Sequence, residues 1–290
     1  MIDAEQTFNP QPTRPRLLLP AGACDAHVHV FGPSGKFPYS QTRSFTPADA
    51  PKEKLFALHR YLGISRCVIV QSTIYAFDNS VVQDAMAAGK GHYLGIALAP
   101  CDISDGDLEK LANAGFRGVR FNLIPGLARN AEPEEIVKFT HRLKHLDMHL
   151  QVHFVSSLVH ELSSILKKSA VPVVIDHMGR VDATLGADHP DFLALCKLMS
   201  DPLFHVKVSG SDRSDATPPY KLGTRLARKL VESFPDRCFW GTDWPHPHHT
   251  HIPDDGILVD ALAEIAPTHD LRERLLVVNP QKFYRFGGLP

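Results

Sequence analysis

Four histidines and one aspartate stand at the ends of short apolar runs. His27 and His29 fall in Cys24-Asp25-Ala26-His27-Val28-His29, His153 closes the run that begins at Met148, and His177 follows Val171–Asp176. Asp243 lies in Gly241-Thr242-Asp243-Trp244-Pro245-His246. Imidazoles and a carboxylate gathered in one place can bind a metal, activate water, or do both. In a strand, residues i and i+2 share a face, so His27 and His29 point the same way. A lone His-x-His is more often a hydrogen-bonded pair in a polar core. Here three further run ends carry residues of the same chemistry, which argues for a site.

Asp243 is either a metal ligand or a general base for water, with helix capping as the plainer role. Pro245 and the stretch His246, His248, His249, His251 argue against a simple cap. That stretch could itself hold a metal. The preferred reading has His246 facing a substrate and most of the others in a solvated loop. Arg120, Arg180 and Arg213 each sit at or just beyond a run end. Guanidinium forks bind carboxylates bidentately, so three at one mouth would suit a substrate with one or two carboxylates. Val119-Arg120-Phe121-Asn122 offers no Lys or Glu to bridge two metals, which leaves one metal or none.

These residues need a scaffold that collects run ends. Eight runs read as strands: Cys24–Val30, Cys67–Gln71, Tyr93–Ala99, Gly118–Asn122, His149–His153, Val171–Asp176, His205–Ser209 and Arg237–Gly241. Between them, Pro51–Leu62, Asn79–Ala88, Glu132–Leu146, Ser157–Leu166, Pro190–Met199, Tyr220–Phe234 and Asp260–Ala266 read as helices, and a last helix begins near Asn279. Strands that are apolar without alternation, each followed by a helix, indicate a parallel sheet covered on both faces. Eight such units predict an α/β fold, a (β/α)8 TIM barrel, in which all strand ends converge on one mouth. An open doubly wound sheet is the alternative, but no Gly-rich phosphate loop accompanies it. The 290 residues fit a Pro-rich arm over residues 1–20 and a single barrel over 21–290. The segment Asp25–Arg66 holds one helix, so its first half is expected to loop over the mouth.

The net charge of −1 gives no basis for broad attraction to nucleic acid or membranes. No run is long enough to span a bilayer or form a signal peptide. The five dispersed cysteines suit a reducing cytoplasm better than a disulfide framework. Oligomeric state is not constrained.

Three motifs extend the reading: Asp25-Ala26-His27-Val28-His29-Val30-Phe31-Gly32-Pro33, Ile175-Asp176-His177-Met178-Gly179-Arg180, and Trp240-Gly241-Thr242-Asp243-Trp244-Pro245-His246-Pro247. Together they resemble the amidohydrolase superfamily, and within it the branch of 2-pyrone-4,6-dicarboxylate lactonases. The resemblance implies an amidohydrolase-type barrel that opens a small anionic lactone. It makes Asp243 the water-activating base, with His27, His29 and His177 polarising the lactone carbonyl. Arg120, Arg180, Arg213, His246 and His249 would hold carboxylates, and Thr73 would present a hydroxyl. The chain departs from the branch at His153, where a Tyr accompanies a metal-free site. A histidine there completes a mononuclear set, so a single Zn²⁺ on His27, His29, His153 and Asp243 is expected. Phe45 replaces a Tyr, His249 an Asn, and the loop after Asn122 lacks a second Arg, although Arg129 lies close by. The expected substrate is the pyrone dicarboxylate, a substituted muconolactone or a sugar-acid lactone. A metal-dependent decarboxylase, a lactone isomerase and a non-catalytic binding protein are the rivals.

Overall fold

Each of the eight apolar runs forms a strand in the computed structural model, which describes residues 5–124, 131–213 and 215–287. The strands are β1 (Cys24–Val28), β2 (Arg66–Val70), β3 (Tyr93–Ala97), β4 (Phe116–Asn122), β5 (His149–His153), β6 (Val173–Ile175), β7 (Phe204–Lys207) and β8 (Cys238–Phe239). They pair in sequence order, all parallel. Ala26 N–H donates to the Trp240 carbonyl at 2.8 Å, which ties the last strand back to the first. The expected (β/α)8 barrel is therefore what the chain builds. Strands β1, β3, β6, β7 and β8 are shorter than their apolar runs, whose ends turn out of the sheet.

The helices are α1 (Lys52–Leu62), α2 (Ser80–Ala88), α3 (Asp105–Asn113), α4 (Pro133–Lys144), α5 (Val159–Leu166), α6 (Pro190–Met199), α7 (Lys221–Ser233), α8 (Asp255–Ile265), α9 (His269–Glu273) and α10 (Asn279–Tyr284). Helix α4 shows why such segments are legible: Pro133 opens it, and Glu132 and Glu135 form a reciprocal capping box. Helix α3 was not anticipated. It fully buries only Leu108, with Leu111 and Ala112 half-buried beside it, and begins Asp105-Gly106-Asp107, so its apolar face is short. Its start is set instead by Ser104, which accepts from Asp107 N–H at 3.1 Å. Helix α8 begins at Asp255 rather than Asp260, capped by Asp254. Among the described residues no helix is long and apolar enough to cross a membrane. All five cysteines are free thiols.

Strand parity sorts side chains between the barrel interior and the helical layer. Leu150 and Val152 of β5 pack outward, while His149, Gln151 and His153 point inward; Val206 and Val208 pack outward, while His205, Lys207 and Ser209 point inward. β1 breaks this rule once. Asp25 pairs with Cys67 and Val28 with Ile69, so β1 holds one residue more than β2 between those points. This bulge sends Asp25 outward and turns His27 inward. Asp25 accepts from His27 N–H (3.2 Å), Thr242 N–H (3.1 Å) and Thr242 Oγ1 (2.6 Å). It thereby joins the start of β1 to the loop that presents Asp243. Gly241 permits the approach: a Cβ there would lie 2.6 Å from His27 N.

The barrel floor is closed by α10, with Tyr284 and Phe286 packed among Cys24, Leu94 and Phe239. Thr13 and Arg16 bond Asp254 and Asp260 of the α8 region, while Glu5 pairs with Thr46 and Ala48 ahead of α1.

Burial, with help from Lys207 and His205, pulls the His149 imidazole down to about 3. Burial and Arg237 pull His205 down to about 4. Both rings would protonate near 6.5 in the unfolded chain. The unfolded state therefore binds more protons in that window, and stability is lost as pH falls from 6.5 toward 4. Urea midpoints are expected to drop between pH 7 and pH 5, and to drop less in a His149→Gln/His205→Gln variant. An unchanged pH dependence in that variant would count against the assignment.

Candidate active site

β4, β5 and the segments after β1, β2, β6, β7 and β8 deliver the candidate residues to a cavity of about 280 Å³ at the mouth. His29, Thr73, Arg120, His153, His177, Arg180, Arg213 and Asp243 all line it. His27 lies just beneath, fully buried. Asp243 is the hub. Its Oδ1 stands 3.4 Å from His29 Nε2, 3.7 Å from His27 Nε2 and 3.7 Å from His177 Nε2. Its Oδ2 accepts from Arg213 Nη2 at 2.5 Å. Burial opposes ionisation of Asp243, but His177, Arg213, His29 and His27 offset it and hold the carboxyl well below the usual range. His177 and Asp243 reach these positions with left-handed backbone, φ +49° and +67°. Such angles in non-glycine residues cluster at functional sites.

The outer nitrogen of each imidazole is held. His29 Nδ1 donates to the Val70 carbonyl at 2.7 Å. His27 Nδ1 lies 3.3 Å from Asp176 Oδ1, and His177 Nδ1 lies 2.9 Å from Ser209 Oγ. Burial, reinforced by Lys207, lowers His27 to about 4, and burial sets His177 well below its ordinary value. Both rings are neutral at neutral pH.

His27, His29 and Asp243 place one donor atom each within 4.8 Å of one another. His27 Nε2 and Asp243 Oδ1 are buried without a hydrogen-bond partner. Ligand atoms of a tetrahedral zinc with bonds of 2.0–2.1 Å stand roughly 3.4 Å apart. The separations from Asp243 Oδ1 match that, so these three residues fit a metal. The fourth expected ligand, His153, is not part of this group. Its ring centroid lies 5.4 Å from that of His177, and neither nitrogen has a partner. Burial, aided by Arg120, keeps it neutral.

Two residues expected to face substrate do not line the cavity. His246 is buried with Nε2 3.1 Å from Asp255 Oδ1. His249 Nε2 lies 2.9 Å from Asp212 Oδ2, and His251 shares the same oxygen at 3.3 Å. The histidine tract is therefore a bracket of histidine–carboxylate contacts rather than a solvated loop, and within it only His248 lines the cavity. Phe45 packs on His248, their centroids 4.3 Å apart, so the loop before α1 does reach the mouth. Arg129 lies outside the described residues.

A buried polar layer under the site escaped the sequence reading. Asp176 accepts from Arg120 Nε at 2.7 Å and Gln151 Nε2 at 3.1 Å, and Lys207 Nζ donates to Gln151 Oε1 at 2.9 Å. Lys207 is fully buried, 3.3 Å from His27 Nδ1. Burial pulls its ammonium down to about 8. The available signal was a lysine interrupting Phe204-His205-Val206-Lys207-Val208, two residues before Ser209.

Strands that feed imidazoles, guanidinium groups and one carboxylate into a single mouth define a (β/α)8-barrel enzyme. The sequence profile of the amidohydrolase family matches residues 24–286. The chain is 41% identical over 284 residues to a 2-pyrone-4,6-dicarboxylate hydrolase of Comamonas testosteroni, covering 94% of this chain and 93% of that one. It is 40% identical over 277 residues to a 4-sulfomuconolactone hydrolase of Hydrogenophaga intermedia, covering 93% and 90%. The crystal structure of a probable 2-pyrone-4,6-dicarboxylic acid hydrolase from Acinetobacter baumannii, with citric acid bound, superposes with a TM-score of 0.81 at 25% identity, covering 91% of this chain and all of that one. This chain belongs to the amidohydrolase family.

Lys207→Met removes one cation from the buried layer and leaves Asp176 undercompensated. A loss of about 3 kcal/mol in urea unfolding is expected, with the His27 titration in metal-free protein moving upward. A variant as stable as wild type would show that the layer does not depend on this charge.

Proposed function

We propose that the protein hydrolyses a small anionic lactone at the barrel mouth. The observation that carries this is the buried, ionised Asp243 within a cavity otherwise lined by imidazoles and by Arg120, Arg180 and Arg213. Arg120 and Arg213 are partly committed to Asp176 and Asp243. Arg180 has no ion pair among the described residues, and it is the group that takes a substrate carboxylate. Relatives that act on a pyrone dicarboxylate and on a sulfomuconolactone support a lactone bearing strong negative charge.

Asp243 takes a proton from water, and the resulting hydroxide attacks the ring carbonyl. His177 donates from Nε2 to the developing oxyanion, with Ser209 Oγ–H holding Nδ1. The acyl C–O bond then breaks, and the ring oxygen takes the proton held by Asp243 and leaves as the hydroxyl or enol of an open-chain acid. A single Zn²⁺ on His27, His29 and Asp243 would polarise the carbonyl and lower the pKa of the attacking water. His153 contacts the substrate in this reading. A cytoplasmic location fits the free thiols.

Asp243→Asn is expected to slow hydrolysis of 2-pyrone-4,6-dicarboxylate by about 10³-fold, the scale of a lost general base. Near-normal turnover would remove Asp243 from the chemistry. Because Asp243 ionises well below the usual carboxylate range, kcat should stay level on acidification from about pH 8 to pH 6. Freshly purified protein is expected to hold about one zinc per chain and to lose activity with a chelator. Full activity in zinc-free protein would assign the carbonyl polarisation to His27 and His29 instead.

A further inference from the structure

A second, larger cavity of about 650 Å³ opens at the far end of the barrel, where β5 and β7 begin. In (β/α)8 barrels chemistry sits at the other end, and the reaction proposed above uses nothing here. Two of its walls are imidazoles. His149 is 4% exposed, and its Nε2 has no hydrogen-bond partner. A Cβ on Gly118 would stand 2.7 Å from that nitrogen, so the ring depends on a glycine at this position. His205 Nδ1 is likewise buried and unpartnered. Phe283 packs on both rings, with centroids 4.9 Å from His149 and 4.5 Å from His205. Met148, Val171 and Pro172 complete an apolar wall.

The rim has the opposite character. Lys144, Arg237, Lys282 and Arg285 face only Asp147 and Asp236. Asp236 is taken by Arg274 at 2.6 Å, and Arg237 Nη1 is taken by backbone carbonyls, among them Asp201 at 2.8 Å. Lys144 and Lys282 form no ion pair among the described residues. Two free ammonium groups thus stand over a floor of neutral rings.

We propose that this cavity binds a small aromatic carboxylate, with its ring on the His149 and His205 wall and its carboxylate between Lys144 and Lys282. The free lysines select an anion, and the flat apolar wall selects a planar body. Inorganic phosphate satisfies only the first demand and a neutral arene only the second.

The test is titration of the full-length, ¹⁵N-histidine-labelled protein with benzoate, benzamide and inorganic phosphate. Benzoate should shift the His149 and His205 imidazole signals saturably, with benzamide and phosphate weaker. The Lys144→Ala/Lys282→Ala variant should bind benzoate about tenfold more weakly, given what two exposed ion pairs contribute, and hydrolyse lactone at the wild-type rate. The proposal is overturned by the absence of a saturable shift, by equal affinity in the variant, or by phosphate binding as tightly as benzoate. Shifts confined to His153 and His177 would place benzoate at the mouth and overturn it equally.

Discussion

One extra residue in β1 sets the geometry on which the site depends. In an unbroken strand Asp25, His27 and His29 would share a face. The bulge between Asp25 and Val28 separates them, sending the carboxylate out and both imidazoles in. Asp25 then bonds Thr242 and the backbone of His27, which fixes the β8 loop against β1. Asp243 N–H donates to the His27 carbonyl at 2.8 Å, and His29 N–H to the Trp244 carbonyl at 2.7 Å. The histidine pair and the aspartate, more than two hundred residues apart, are thereby held as one rigid unit. A metal or a water could be gripped between them without reorganisation, which is the condition for strong electrostatic catalysis.

Beneath that unit the barrel holds charge rather than the usual aliphatic layers. Lys207, Arg120 and Asp176 are all buried and mutually compensated, with Gln151 linking them. Such a layer costs desolvation and gains little over well-packed hydrophobes. Its return is functional. It orients His27 Nδ1 toward Asp176 and leaves Nε2 facing Asp243, while burial, reinforced by Lys207, keeps the ring neutral. Second-layer carboxylates that set imidazole tautomers are a general feature of histidine sites. The floor below is sealed by Tyr284 and Phe286, so the polar layer does not open to solvent from that end.

The mouth itself is built from bends. His177, Met178, Arg180, Asp243, His246 and His248 all have positive φ. Those angles let a strand end turn sharply enough to aim a side chain back across the barrel axis. Contacts of His246 with Asp255, and of His249 and His251 with Asp212, clamp the loops from outside the cavity. Asp212 adjoins Arg213, the partner of Asp243, so the clamp sits next to the residue that holds the hub.

Much of this was legible in the sequence. Eight apolar runs spaced by amphipathic segments specify a parallel barrel, because burial on both faces leaves few other ways to cover such strands. The barrel rule then assigns the run ends to one mouth, which is why His29, His153, His177, Arg120, Arg180, Arg213 and Asp243 could be named together. Helix α3 was hidden because its apolar face is only Leu108, Leu111 and Ala112, behind a polar first turn capped by Ser104. His246 and His249 could not be placed because which face of a loop a histidine takes depends on partners, here Asp255 and Asp212, that only the fold supplies. The bulge in β1, the membership of Lys207 in the His27 network, and the exclusion of His153 from the triad of His27, His29 and Asp243 belong to the same class. Periodicity and residue type decide which segments form strands and helices, because burial is a property of each segment. Pairings across the barrel depend on ångström-scale register and backbone bends, and those exist only once the eight strands have closed.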